Sequence, residues 1–129
     1  MMKLDFAYVI VEGNRDAKAL KRLLPTWTLQ RSRILTADGK SSAISDARTI
    51  LVLEKHPVAL VVEADTEDLR AAGQEREVLR QLLRNAAAGV SCEAFMAVPT
   101  LDEVEAKHMS ADTVSYLKEL KDFVKSATN

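Results

Sequence analysis

The sequence lacks the features that mark secreted and membrane proteins. Its 129 residues include one cysteine, Cys92, so no internal disulfide can form and nothing points to an oxidising compartment. The first apolar run, at 6–11, is followed directly by Glu12 and is too short for a signal peptide or a bilayer-spanning helix. We therefore expect a cytoplasmic protein without a membrane partner.

An excess of charge of either sign is also lacking. The formal net charge is −1, so the protein as a whole is not expected to be drawn strongly to nucleic acid or to an anionic membrane. Basic residues nevertheless concentrate between positions 15 and 40: Arg15, Lys18, Lys21, Arg22, Arg31, Arg33 and Lys40. Such a patch can bind a phosphate backbone, and a solvated helix surface is the other interpretation.

What is present is the composition of a soluble globular domain. Hydrophobic residues make up 47% of the chain and charged residues 29%, which excludes a wholly disordered or collagen-like protein. A chain of this length commonly forms one domain with one core. We expect residues 1–129 to form a single domain.

Strand patterns alternate with helical patterns along the chain. Strands are expected at 6–11, 31–37, 58–62 and 92–98. Helices are expected at 15–24, at about 68–88 and at about 110–126, and a further helix is expected between a cap at Ser41 or Ser42 and a stop at His56-Pro57. This alternation predicts a three-layer α/β/α fold of the Rossmann-like type with a mainly parallel four-stranded sheet. Strand order 2-1-3-4 would make the first and third strands neighbours and place the second strand, with its basic start, at an edge.

Acidic residues follow the first and third strands. Glu12 follows immediately after the first strand, and Asp16 comes four residues later. Gly13 is expected to let the backbone turn sharply between them. Glu63 and Asp65 end the third strand. If the two strands are neighbours, four carboxylates converge at the carboxyl edge of the sheet, and a cation must neutralise them. Oxygen ligands without nearby Cys or His favour magnesium or manganese over zinc.

The acid pair after the third strand can be assigned in two sequence frames, which differ in the two acids that form the pair. One frame is Glu63-Ala64-Asp65 and the other is Asp65-Thr66-Glu67. We prefer the first because Glu63 ends the strand, which leaves Glu67 and Asp68 to begin the next helix, where acids suit the helix dipole and capping.

At these residues the sequence resembles the Toprim domain, which topoisomerases, bacterial primases, the overcoming-lysogenization-defect nucleases and small stand-alone proteins share. The resemblance covers about positions 6 to 103 and is nearest to the nuclease type. It consists of Glu12 with the following Asp16, a turn at Gly39-Lys40-Ser41, and an acid pair similar to the family's two aspartates. Neither frame supplies two aspartates, and glutamate is one methylene longer than aspartate.

The resemblance implies roles for these residues. Glu12 would act as the general acid or base, while Asp16, Glu63 and Asp65 would hold magnesium. Lys40 could contact the scissile phosphate. Many nuclease-type members carry a further acid after the proline that follows the fourth strand, and Asp102 fits that position best.

Three functions are compatible with the sequence. The leading one is a magnesium-dependent phosphodiester-processing enzyme, a nuclease acting on DNA or RNA alone, with a separate protein partner or as a homo-oligomer. The alternative is a non-catalytic Toprim-like module that binds nucleic acid or a protein partner, with Glu63 as the trace of lost catalysis. The third is a receiver-like or flavodoxin-like domain, which bound flavin or phosphorylation of Asp65 would support.

Overall fold

The computed structural model describes residues 4–66, 68–97 and 115–129. These residues contain four strands and five helices. In chain order the elements are β1 (Ala7–Val11), α1 (Asn14–Leu23), α2 (Thr26–Gln30), β2 (Ser32–Thr36), α3 (Lys40–Leu53), β3 (Val58–Glu63), α4 (Leu69–Ala87), β4 (Cys92–Ala97) and α5 (Ser115–Ala127).

The four strands form one parallel sheet in the order β2-β1-β3-β4. The predicted fold class and strand order are therefore confirmed, and β2 lies at an edge. The register pairs Val11 of β1 with Val61 of β3. The carboxyl ends of these two strands consequently lie side by side, which brings the residues that follow them to the same edge of the sheet.

Two hydrophobic layers cover the two faces of the sheet. Side chains of alternate strand residues point to opposite faces. Val9, Val61 and Phe95 pack on one face with residues of α1 and α5. Ile10, Leu60 and other strand residues pack on the opposite face with residues of α3 and α4. Since both faces of the central strands are covered, β1 and the first five residues of β3 are continuous apolar runs, as is usual in parallel sheets.

The helix starts and stops differ from the expected ones in specific ways. Helix α3 is preceded by Gly39 at φ +92°, without a side-chain cap, so the predicted serine cap is wrong. The cap of α4 is confirmed, because the side chain of Asp68 accepts a hydrogen bond from the backbone N–H of Arg70. The short helix α2, which follows Pro25, was not expected.

Parts of the expected C-terminal structure lie outside the described residues. These are the last position of the strand expected at 92–98 and the first residues of the helix expected at about 110–126. The described helix α5 runs to Ala127, and the next residue, Thr128, bridges to Leu4 ahead of β1. The end of the described chain is thereby joined to its beginning.

The edge strand β4 is covered by side chains of α4. The Arg76 Nε–H donates to the Ala94 carbonyl at 2.7 Å, and the Ala94 N–H donates to the Glu93 carboxylate at 3.0 Å. Arg80 also donates to Glu93, at 2.8 Å. Both backbone polar groups of Ala94 are therefore satisfied by side chains. Charged side chains at an edge are a known obstacle to pairing with a further strand.

Among the described residues, no helix is long and apolar enough to cross a membrane.

Candidate functional site at the carboxyl edge of the sheet

The carboxylate of Glu12 is fixed at the end of the neighbouring strand. The backbone N–H of Glu63 donates to Glu12 Oε2 at 2.9 Å, and both residues are half-buried. This contact follows from the register, since Glu12 comes one residue after Val11, whose partner Val61 lies two residues before Glu63. The structure thus brings the carboxylate of Glu12 against the backbone of Glu63, at the shared edge of β1 and β3.

The turn after β2 is attached to the same edge. The Ala37 N–H donates to the Val11 carbonyl, and the Gly39 N–H donates to the Glu12 carbonyl, each at 2.9 Å. Gly39 has φ +92° and ψ 178°, a conformation essentially restricted to glycine. These contacts place Lys40, the first residue of α3, beside the acidic strand ends.

Lys40 joins two carboxylates from different elements. Its ammonium donates to Asp65 Oδ1 at 2.9 Å and to Glu75 Oε1 at 2.8 Å. The side chains of Lys40 and Glu75 are 22% and 25% exposed, whereas that of Asp65 is 81% exposed. Burial alone would lower the pKa of Lys40, but the hydrogen bonds and charges of Glu75 and Asp65 outweigh it, so the pKa is raised. Lys40 is therefore held charged at this edge.

Glu75 was not among the predicted site residues. It lies in α4, an amphipathic helix. The charged residues of α4 form the polar face that such a helix ordinarily has. Nothing in its spacing distinguishes it from Glu77, which pairs with Arg80 in the same helix. Only the packing of α3 beside α4 identifies Glu75 as a partner of Lys40.

Asp16 and Glu63 share their neighbourhood with a tyrosine of α5. Asp16 lies in the first turn of α1 and is half-buried. Tyr116 is buried, and burial together with the negative charges of Asp16 and Glu63 raises the pKa of its hydroxyl well above the usual range. Tyr116 was also absent from the predicted site. In the sequence, Tyr116 stands beside the apolar residues of a predicted helix. This position could have identified it as a candidate, because a buried tyrosine usually needs a partner for its hydroxyl.

The predicted metal ligands fit magnesium in kind. All are carboxylate oxygens, which are hard ligands. In the parts of the chain that the structure describes, no three His, Cys, Asp or Glu side chains are gathered closely enough to hold an ion. Proteins usually bind magnesium through one or two carboxylates, with water and substrate phosphate completing the octahedron. Asp16, Glu63 and Asp65, which follow the adjacent strands β1 and β3, are carboxylates of the kind that such a site uses.

The remaining candidates are placed as follows. Lys40, expected to contact a phosphate, pairs with two carboxylates instead. Asp102 lies outside the described residues. Of the basic residues between positions 15 and 40, Lys18 and Lys21 are exposed on α1, which starts at the acidic edge. The guanidinium of Arg33 instead stacks 3.7 Å from the centre of the Phe6 ring.

Comparisons of the sequence with protein-family models and curated proteins, and of the chain with solved structures, found no match.

Proposed function

We propose that the protein is a Toprim-like, cytoplasmic phosphodiester-processing enzyme, a magnesium-dependent nuclease that acts on DNA or RNA. The observation that carries the proposal is the carboxylate of Glu12, held by the Glu63 N–H at the carboxyl ends of two adjacent parallel strands. Ligands of open α/β sheets bind at this edge. The resemblance of the sequence to the Toprim domain concerns the same residues.

The proposed roles follow from the positions of the acids. Glu12 handles the proton of the attacking water, because its carboxylate is oriented by a backbone N–H. Asp16, Glu63 and Asp65 are the proposed magnesium ligands. When bound, magnesium polarises a phosphoryl oxygen and favours deprotonation of an attacking water. Lys40 supplies a fixed positive charge beside Asp65.

The proposed partner is nucleic acid, with a separate protein partner or a second copy of the chain assisting its capture. Exposed Lys18 and Lys21 on α1 are suitable contacts for a phosphate backbone. Contacts of this kind predict binding that weakens as the salt concentration rises.

The test is a titration of magnesium and manganese into the wild type, Glu12→Gln and Asp65→Asn. Heat release measures binding, and labelled single- and double-stranded DNA and RNA report cleavage. Glutamine keeps an oxygen that accepts the Glu63 N–H, so Glu12→Gln should fold normally yet lose about a hundredfold or more of the cleavage rate. Asp65→Asn should weaken magnesium binding and cleavage together.

The matched control is Asp46→Asn, which neutralises an exposed acid within α3. It should leave metal binding and cleavage unchanged. Absence of magnesium binding by the wild type at millimolar concentration would refute the catalytic proposal.

A second candidate function is a non-catalytic Toprim-like module that binds nucleic acid or a protein. The observation in its favour is Lys40, whose ammonium already neutralises Asp65 and Glu75 without a metal ion. Binding of labelled DNA or RNA that is equal with magnesium and with a chelator, and without cleavage, would support this function over the nuclease.

A further inference from the structure

An arginine stacks on a cluster of aromatic rings at the amino end of the sheet. The guanidinium carbon of Arg33 lies 3.7 Å from the centre of the Phe6 ring, and the centre of the His56 ring lies 4.1 Å from the same point. The Tyr8 ring meets the rings of Phe6 and His56 edge-on, with centres 5.2 and 5.0 Å apart. These four side chains, here called the Arg33 stack, come from the starts of β1 and β2 and from the residues just before β1 and β3.

Hydrogen bonds hold the rings of the Arg33 stack in place. The His56 Nε2–H donates to the Phe6 carbonyl at 2.8 Å, and the Tyr8 hydroxyl donates to the Glu54 carboxylate at 3.0 Å. Tyr8 and Arg33 are direct neighbours in the register of β1 with β2. A guanidinium that packs on fixed rings is preorganised, so less conformational entropy is lost when it binds a ligand.

The guanidinium is the outermost member of the Arg33 stack. Arg33 is exposed, whereas Phe6, Tyr8 and His56 are half-buried. Leu35, the next residue of β2 on the same face of the sheet, is 39% exposed. The edge strand therefore presents a strip of surface that contains a planar cation and an apolar side chain.

The charge of Arg33 is not neutralised within the described parts of the chain. Lys40, Arg76 and Arg80 each form an ion pair with a carboxylate. Arg33 forms none with the carboxylates of the described residues and contacts the Phe6 ring instead. Its contacts thus fix the position of the guanidinium and leave its positive charge available to an anionic ligand.

A ligand that matches this surface is flat, apolar on its faces and accompanied by negative charge. The unpaired bases of single-stranded nucleic acid have these properties, and they stack on aromatic rings and on arginine guanidinium planes. Arg33 precedes Ala37 by four residues, or about 13 Å along β2. The Ala37 N–H bonds to the end of β1 at the acidic edge. A bound strand that follows β2 therefore reaches the candidate site.

We propose that the Arg33 stack binds single-stranded nucleic acid, with a base stacked on the Arg33 guanidinium and the strand running along β2 toward the acidic edge. The inference rests on the proposed function in taking nucleic acid as the partner, but it requires neither magnesium nor cleavage. It assigns the preference for single strands to a surface at the other end of the sheet from the carboxylates.

The test measures binding of end-labelled octathymidine by fluorescence anisotropy in the presence of a chelator. Arg33→Lys keeps the positive charge but loses the planar group that stacks, and Arg33→Gln loses both. Each variant should bind roughly five- to thirtyfold more weakly than the wild type. Only Arg33→Gln should also reduce the salt dependence of binding, by about 0.7 in the slope of log K against log salt concentration.

An abasic strand of the same length separates stacking from phosphate contacts. The wild type should bind the abasic strand more weakly than octathymidine, and Arg33→Lys should bind the abasic strand as the wild type does. The matched control is Arg48→Lys, at an exposed position of α3, which should leave both affinities unchanged. Because Arg33 is exposed, Arg33→Lys should melt within a few degrees of the wild type.

The outcomes distinguish this inference from the proposed nuclease. If the wild type does not bind octathymidine in chelator, or if Arg33→Lys binds it as tightly as the wild type, the role of the Arg33 stack is refuted. Equal weakening of Arg33→Lys on octathymidine and on the abasic strand would also refute stacking, because it would show a contact with phosphate alone. If the wild type binds the strand through Arg33 but binds no magnesium, the nuclease proposal fails and this inference stands.

Discussion

Replacing Lys40 by methionine tests whether the acidic edge is held together by this one ammonium. Methionine keeps most of the length and apolar volume of lysine but donates no hydrogen bond. The change removes the contacts to Asp65 at 2.9 Å and to Glu75 at 2.8 Å. Glu75, whose side chain is 25% exposed, is left as a largely buried carboxylate without its cation.

The two contacts contribute unequally to the free energy of unfolding. Asp65 is 81% exposed, so solvent screens its ion pair and the contribution is close to zero. The hydrogen bond to the less exposed Glu75 is the larger one. We expect Lys40→Met to lose about 1–2 kcal/mol. For a domain of this size the melting temperature should fall by roughly 3–8 °C.

The pKa of Lys40 fixes the pH dependence of this effect. The pKa is raised in the folded protein above the ordinary value of 10.5. The stabilisation by charged Lys40 is therefore fully present below pH 10.5 and is lost as the pH rises through the raised folded value. The difference in stability between wild type and variant should be constant from pH 7 to about pH 10 and should shrink only above that range.

Urea unfolding followed by circular dichroism at several pH values measures the difference. Lys18→Met, which changes an exposed lysine of α1, is the matched control and should alter the free energy of unfolding by no more than about 0.5 kcal/mol. Equal stability of Lys40→Met and the wild type at pH 7 would show that the ion pair with Glu75 does not contribute.

Further measurements address the metal, the turn and the core. In Lys40→Met, magnesium should bind more tightly by calorimetry if Asp65 is a ligand, because a competing positive charge is gone; unchanged affinity would exclude Asp65. Gly39→Ala should lower the stability to urea by about 1–3 kcal/mol because of its positive φ, whereas Gly73→Ala, within helix α4, should raise it by about 1 kcal/mol. Leu60→Ala, at a fully buried position of the central strand β3, should cost about 3 kcal/mol in the same assay; a loss below 1 kcal/mol would contradict the described packing.

The sheet could be predicted from the sequence because its signals are local. Val58 to Val62 are uninterrupted apolar residues, and such a run predicts a strand covered on both faces, as β3 is. The basic start of β2 correctly predicted an edge strand. Adjacency of β1 and β3 then followed from the usual topology of alternating strands and helices, and with it the contact between Glu12 and the end of β3.

The two glycines beside the strands show where local reasoning ends. Gly13 was expected to need its freedom for a sharp turn, but its φ is −167°, an extended conformation that any residue can adopt. Gly39 is the glycine with a positive φ, +92°. Both follow strands in the sequence, and only the path of the chain distinguishes them.

Glu75 and Tyr116 were not predicted from the sequence for a related reason. Glu75 meets Lys40 across 35 positions of sequence, through the packing of one helix beside another. Tyr116 comes from the far end of the described chain and approaches the acids only because α5 covers the face of the sheet next to α1. No periodicity or spacing encodes such contacts.

The unequal edges of the sheet limit how copies of this protein can assemble. At β4 the backbone groups of Ala94 are already occupied by Arg76 and Glu93. Among the described strands, extension of the sheet by an incoming strand is therefore left to β2. Growth of a fibre by strand addition requires two open edges, so occupied backbone groups at one edge hinder it. The contact of Arg76 with the Ala94 carbonyl thus makes β4 a poor edge for the addition of a strand from another copy.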